Sequence, residues 1–360
     1  MKYIPALDGL RALSALAIVA CHVERGSIAQ GGFIGVDIFS VLSGFLVTIL
    51  FIQERERTGT IDLPRFFTRR VLRLMPALWA MVIIVLILTY PEWPDLHETV
   101  LTLTYTENIW LAFQTSAEGF FAHTWSLGIE LQFYICWAFG ALLLLRHSPK
   151  RAAVALGIAI FAIYCWRWNL ATAEGLYGDD YLRAMMRIYV SIDTRADELL
   201  TGCLGALLVS VRPAVVRDAL GRYGGILATI GLCVAASVFA PYTTPYFLVG
   251  IPMVSAYSIL VILDITLNEN GLLARLMSWR PLVYIGTISY GIYLWHIPLL
   301  GLLQRTSFDS IGARLIVMFG GTIVIAALSS RFIEKPIRDY GRVLASRPIS
   351  SGDLRASDSK

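Results

Sequence analysis

The sequence predicts an all-α, polytopic integral membrane protein of about ten transmembrane helices, with its N- and C-termini in the cytoplasm. Three observations predict it. Of the 360 residues, 56% are hydrophobic, the mean hydropathy is +0.65 and only 16% are charged, whereas soluble domains carry about 25% charge. Ten apolar segments are long enough to cross a bilayer with some tilt: 5–25, 32–53, 71–90, 124–146, 152–170, 193–211, 223–240, 246–264, 282–303 and 312–332. Arginine and lysine then alternate between loops as the positive-inside rule requires.

With the N-terminus inside, Arg55, Arg57, Arg65, Arg69, Arg70 and Arg73 fall in one cytoplasmic loop. Arg146, Lys150 and Arg151 fall in the next, then Arg212, Arg217 and Arg222, then Arg275 and Arg280. Lys335, Arg338, Arg342 and Arg347 follow the last segment. Outer loops are sparse in cations, with Arg25, Arg183, Arg187 and Arg305 the main ones. The net charge of +4 is therefore a topology signal and calls for no nucleic-acid partner. A secretory signal peptide is not expected, because the first segment carries Asp8 and Arg11 and lacks a small-residue cleavage site. The five cysteines lie within or at the ends of apolar segments without a close pair, so buried thiols are expected and no metal site. Residues 1–344 read as one transmembrane domain and 345–360, rich in Ser, Asp and Arg, as a disordered cytoplasmic tail.

The first segment, Pro5 to His22, organises the rest. Arg11 and His22 are eleven residues apart, near three whole turns, so they share a helix face and differ in depth by roughly 16 Å. An arginine inside a span is costly and by default functional. The plainer reading is an Asp8–Arg11 pair at i, i+3, which does nothing for His22.

In the second segment Gly35, Ser40, Ser43 and Gly44 suit close helix packing, and that reading outweighs a nucleophilic serine. Asp37 enters near the outer end, at a depth like that of His22. Before the third segment Arg70 and Arg73 share a face, followed by Pro76 and Trp79. They read either as topological anchors or as a guanidinium pair for phosphate.

The fourth segment enters from outside and places Ser126 and Glu130 at i, i+4, with His123 one turn further out. By this bookkeeping Glu130 comes near the level of His22. The sixth opens with Asp193, Arg195, Asp197 and Glu198, and the ninth carries Ser289, Tyr293 and His296 in its outer half. A polar cluster of His22, Asp37, Glu130, Asp193, Arg195, Asp197 and His296 is thus expected in the outer half, above a cationic entrance of Arg11, Arg70 and Arg73. Mutual ion pairing between helices is the alternative use of those aspartates, Arg195 and His296. A neutral imidazole backed by a carboxylate suits a general base for a hydroxyl, which is the expectation for His22 with Glu130.

These motifs resemble a known family. Asp8-Gly-Leu-Arg11 with His22, Gly35-Val-Asp-Ile-Phe-Ser-Val-Leu-Ser-Gly-Phe45 and Arg69-Arg-Val-Leu-Arg-Leu-Met-Pro76 are similar to successive motifs of the membrane acyltransferase-3 family. Trp125-Ser-Leu-Gly-Ile-Glu130, Ile285 to Pro298 and Phe332-Ile-Glu-Lys-Pro336 resemble its later ones, in the same order. Phe39-Ser40 departs from the family's frequent Phe-Phe. The resemblance implies a multi-pass enzyme of the bacterial cytoplasmic membrane that moves an acyl group, acetyl favoured, from cytoplasmic acyl-CoA to a hydroxyl of an envelope glycan. It implies catalytic roles for His22, Glu130 and Arg11, donor binding by Arg70 and Arg73, and supporting or acceptor-binding roles for Asp37, Ser43, Trp125, Arg195, Asp197 and His296. Direct attack on the thioester is preferred to a relay through acyl-His22 or acyl-Ser43, and no bound cofactor is expected. Larger members append an extracytoplasmic hydrolase-like domain, which is not expected here. The runner-up acceptor is a cytosolic natural-product sugar such as a macrolide. A transporter is the remote alternative, set aside because inverted repeats and paired broken helices are not apparent.

Overall fold

The computed structural model describes residues 3–23, 29–173, 178–305 and 310–346, and these are helical or connecting, with no strand among them. In chain order the α-helices are α1 (Pro5–His22), α2 (Gly35–Thr58), α3 (Leu63–Thr89), α4 (Leu96–Leu103), α5 (Glu107–Leu111) and α6 (Trp125–Leu144). Then come α7 (Pro149–Ala171), α8 (Gly178–Val190), α9 (Ile192–Val211), α10 (Pro213–Leu220), α11 (Gly224–Val238) and α12 (Ile251–Leu267). The last are α13 (Leu272–Met277), α14 (Arg280–Thr287), α15 (Ser289–Gln304), α16 (Ile311–Ile316), α17 (Thr322–Ser329) and α18 (Lys335–Ser346).

Each of the ten expected segments is helical. Six helical stretches are long and apolar enough to cross a membrane: Gln30–Thr58, Leu63–Thr89, Ala122–Leu144, Pro149–Ala171, Tyr246–Leu267 and Ile311–Gly341. The count reaches eight when α8–α10, bent by 113°, and α14–α15, bent by 69°, are each taken as one span. The other two segments fall short for visible reasons: α11 has only 15 residues, and α1 carries Asp8, Arg11 and His22 through its 18. Ile83, Ile87, Phe139, Ile158, Phe161 and Leu227 stand exposed on the outside of the bundle, as side chains facing lipid must. Arg25 and residues 347–360 of the expected tail lie outside the described residues, and residues 345 and 346 end α18.

Local chemistry sets the helix starts that position the site. Asp62 caps α3 by accepting from the Arg65 amide (3.0 Å), with Pro64 in the first turn. The helix therefore begins at Leu63, and Arg65, Arg69, Arg70 and Arg73 ride on it instead of lying in the loop expected for them. Likewise α6 is preceded by a buried 3-10 turn, Ala122–Thr124, inside the bundle. The fourth segment thus starts from a turn packed against the histidine level, not from an exposed loop.

At the centre α2 and α9 cross in close contact. A Cβ on Gly44 would stand 1.9 Å from the Leu199 carbonyl oxygen, and one on Gly202 would stand 2.0 Å from that of Val41. Only glycine lets these backbones approach so near, the small-residue packing of membrane helices. Two turns before each glycine, the same crossing brings Asp37 against Arg195.

Candidate active site

A cavity of about 290 Å³ opens between α1, α2, α3, α6 and α15. Arg11, Ser43, Arg70, Arg73 and Glu130 line it, so five of the expected site residues, from four helices, meet in one cavity. His22, Asp37, Trp125, Arg195, Asp197 and His296 are not among its lining residues. The single polar cluster expected from depth bookkeeping is therefore three separate groups.

The first group is the cavity itself. Arg11 donates from Nε to Ser289 Oγ (3.2 Å), and Asp8 accepts from the Tyr3 hydroxyl (2.6 Å), so the Asp8–Arg11 pair that the spacing allows gives way to these two bonds. Burial, together with the Asp8 carboxylate, pushes the Tyr3 hydroxyl up to about 12. Arg70 lies over the Tyr134 ring at 4.5 Å and the Phe66 ring at 5.4 Å. Among the described residues, neither Arg70 nor Arg73 has a carboxylate at salt-bridge distance. Two half-buried guanidiniums with no carboxylate at salt-bridge distance are suited to an anion.

Above them Glu130 Oε1 accepts from Ser43 Oγ (2.6 Å) and from the Tyr134 hydroxyl. This differs from the expected pairing with His22, and the depth of α6 explains it. His123, in the turn before α6, marks the level of the histidines, and Glu130 is seven residues, roughly 10 Å, further in. A serine and a carboxylate do meet, although sequence inspection finds no base for Ser43. Their 87-residue separation hid the pair.

The second group is a run of three imidazoles. The rings of His22 and His296 are 5.1 Å apart at 65°, and those of His296 and His123 are 5.2 Å apart at 79°. Each ring has one nitrogen on a backbone carbonyl: His22 Nδ1 on Ile18 (2.8 Å), His296 Nδ1 on Tyr293 (2.6 Å) and His123 Nε2 on Leu294 (3.0 Å). A carbonyl only accepts, so in neutral His22 the proton sits on Nδ1 and Nε2 keeps its lone pair. The backbone of α1, not Glu130, fixes the tautomer. Tyr293 joins the two groups: it lines the cavity, hydrogen-bonds Ser126 Oγ (2.6 Å) and donates to the His123 carbonyl (2.6 Å).

The third group holds helices together. Arg195 NH2 meets Asp37 Oδ1 at 2.5 Å, Arg195 Nε meets Glu198 Oε1 at 2.7 Å, and the Tyr246 hydroxyl donates to Asp37 Oδ2 (2.6 Å). Trp125 and Tyr189 cover the guanidinium, 5.8 and 5.2 Å from their rings. Arg167, which no sequence motif marked, is fully buried against Asp197 (2.8 Å) and the Thr194 carbonyl (2.7 Å). Asp193 turns outward to Arg187 (2.6 Å). For these residues ion pairing across helices is what the geometry displays.

The profile of the acyltransferase-3 domain family matches residues 4–331. This chain belongs to the acyltransferase-3 family. The resemblance carried by the motifs is thereby borne out. It is 33% identical over 364 residues to the peptidoglycan O-acetyltransferase OatA of Listeria monocytogenes, covering 94% of this chain and 56% of that protein. It is 32% identical over 361 residues to the putative peptidoglycan O-acetyltransferase YrhL of Bacillus subtilis, with the same coverage of both chains. With the O-acetyltransferase OatA of Staphylococcus aureus it shares 32% identity over 389 residues, 98% of this chain and 60% of that one. The chain thus spans somewhat more than half the length of the relatives it matches. No solved structure matches it.

Tyr134 and Tyr293 are the functional candidates that sequence reasoning underweighted. Tyr134 stands at i+4 from Glu130, a spacing that puts both on one helix face and was visible in advance. The Tyr293–Ser126 contact spans 167 positions and had no local signal.

Proposed function

We propose that this protein is a multi-pass O-acyltransferase of the bacterial cytoplasmic membrane. It moves an acetyl group from cytoplasmic acetyl-CoA to a sugar hydroxyl of an envelope glycan. The observation that carries the reading is the cavity whose Arg70 and Arg73 lack carboxylate partners among the described residues. A phosphate-bearing donor supplies the anion such a pair requires, because guanidinium forks hold phosphate oxygens in two parallel bonds. The names of the relatives support acetyl as the group and peptidoglycan as the acceptor class.

In this reading the Arg70 and Arg73 end of the bundle faces the cytoplasm, with both termini there. The donor's phosphates rest on those arginines and its thioester extends past Ser126 and Tyr293 toward the histidines. His22 Nε2 takes the proton of the acceptor hydroxyl as its oxygen attacks the thioester carbon. The carbon–sulfur bond breaks, and the proton passes to the departing sulfur, which leaves as the thiol. Arg11, roughly 16 Å from His22 along α1 and in the same cavity as Arg70 and Arg73, adds positive charge for the donor's phosphates.

The test uses membrane vesicles with the cytoplasmic face accessible, supplied with radiolabelled acetyl-CoA, comparing wild type with His22→Ala. Label in an envelope glycan from wild type alone is the expected result. Label from both proteins removes the base assignment, and transfer only when acetyl-CoA is on the other face overturns the sidedness.

A further inference from the structure

Glu130 is held in a way that neither base chemistry nor packing explains. Both hydrogen bonds it accepts, from Ser43 on α2 and Tyr134 on α6, end on the same oxygen, Oε1. Tyr134 is itself fixed beneath the Arg70 guanidinium at 4.5 Å. Among the described residues, Oε2 has no partner, and the residue lies on the cavity wall. Among the described residues no arginine stands at salt-bridge distance from it. A carboxylate oxygen only accepts, so this one is set to receive an N–H or O–H from whatever fills the cavity.

Position narrows the ligand group. Arg70 lies 4.5 Å over the ring of Tyr134, whose hydroxyl donates to Glu130, so the arginine side of the cavity adjoins Glu130. Ser126, one turn back along α6 from Glu130, touches Tyr293 under the histidines. Glu130 therefore has the proposed phosphate seat on one side, through Tyr134, and Ser126 with Tyr293 on the other. On an acyl-CoA that stretch is the pantetheine arm, whose amides supply N–H donors where the phosphates and the thioester supply none.

We propose that Glu130 is a donor-recognition residue whose Oε2 accepts an amide N–H of the pantetheine arm. Ser43 and Tyr134 hold the carboxylate in that orientation. The inference rests on the acyl-CoA reading above and names the residue that separates a pantetheine thioester from a bare nucleotide. A charge-assisted bond of this kind changes affinity by about 10- to 100-fold.

The experiment measures binding to the full chain in lipid nanodiscs by calorimetry. The two ligands are coenzyme A and the phosphoadenosine diphosphate left when its pantetheine arm is removed. Wild type is expected to prefer coenzyme A, and Glu130→Ala to lose that preference by about 10- to 100-fold while binding the nucleotide as before. Tyr134→Phe, which keeps the ring under Arg70 but removes one of the two bonds, loses part of the preference and guards against a misfolded alanine variant. A Glu130→Ala protein that keeps the full wild-type preference overturns the inference and leaves the donor reading standing. Wild type that binds neither ligand overturns the donor reading instead. A stable acyl group on Ser43 after incubation with acetyl-CoA also overturns the inference, since Glu130 would then be the base for a nucleophilic serine.

Discussion

His22 and His296 meet edge to face with their ring centroids 5.1 Å apart, and each has its Nδ1 bound to a carbonyl of its own helix. The contact ties α1 to α15 and fixes which His22 nitrogen is basic. Replacing His22 by Gln keeps a polar side chain at the helix end but removes the imidazole lone pair. Turnover of a general base lost in this way falls by about 10²- to 10⁴-fold. The check is initial rate of label transfer in vesicles, with protein amount in the membrane as control. Wild-type turnover in His22→Gln would end the base assignment.

Arg70 and Arg73 make a prediction of the opposite kind, in binding and not in rate. Each charge-assisted bond to phosphate contributes about 1.5–3 kcal/mol. Arg70→Ala with Arg73→Ala should therefore weaken coenzyme A binding by at least about 10²-fold. Lysine replacements restore charge but not the fork, and recover only part. Calorimetry on the nanodisc-embedded protein reads this directly, and unaltered donor affinity returns both arginines to a topological role.

Much of this was legible in the chain. The spacing of Arg11 and His22, the small residues around Gly44 and the i, i+3 pair Arg70 and Arg73 all follow from helical periodicity. Partners across helices did not follow. Glu130 was placed beside His22 because the fourth segment was assumed to start at the membrane surface. The buried turn at Ala122–Thr124 carries α6 deeper and delivers Glu130 to Ser43 instead. Arg167, 30 positions from its partner Asp197, resembled any arginine near the end of a span until the fold buried it. Depth along one helix is a one-dimensional quantity; contact between helices depends on where each helix begins.

The α2–α9 crossing predicts a stability effect of its own. Gly202→Ala places a Cβ about 2.0 Å from the Val41 carbonyl oxygen, which is backbone and does not swing aside. The helices must separate, at a cost of about 1–3 kcal/mol for overpacking. Thermal unfolding in nanodiscs should show a lower midpoint for Gly202→Ala than for an alanine at Gly157, whose added Cβ meets nothing within 4 Å.

Asp37→Asn tests the buried network. The substitution leaves Arg195 with Glu198 but removes the negative charge at 2.5 Å and leaves one acceptor oxygen where Arg195 and Tyr246 had one each. Breaking one side of a buried pair costs about 3–5 kcal/mol. Stability should fall by that order, while coenzyme A affinity in the protein that remains folded stays as in wild type. A large loss of affinity at unchanged stability would move Asp37 from scaffold to site.

The connection between α3 and α6 lies outside the spans and carries the pH dependence. Burial pushes the Glu107 carboxyl up to about 8, and the neighbouring carboxylates of Glu98 and Asp95 push it the same way. Glu98 is raised to about 7 by burial, although its Oε1 accepts from the Phe121 amide at 2.7 Å. A carboxyl whose folded value is raised binds its proton more tightly folded than unfolded. Its contribution to stability is then complete below the unfolded value near 4.5 and is lost as pH climbs to the folded value. Stability of this segment should therefore decline between about pH 4.5 and pH 8. Glu107→Gln keeps the shape without the ionisation, so it should flatten that decline and gain most over wild type near pH 8. Hydrogen exchange of α4 and α5 across this range reads it, and a Glu107→Gln profile parallel to wild type would show that the acidic pair does not set it.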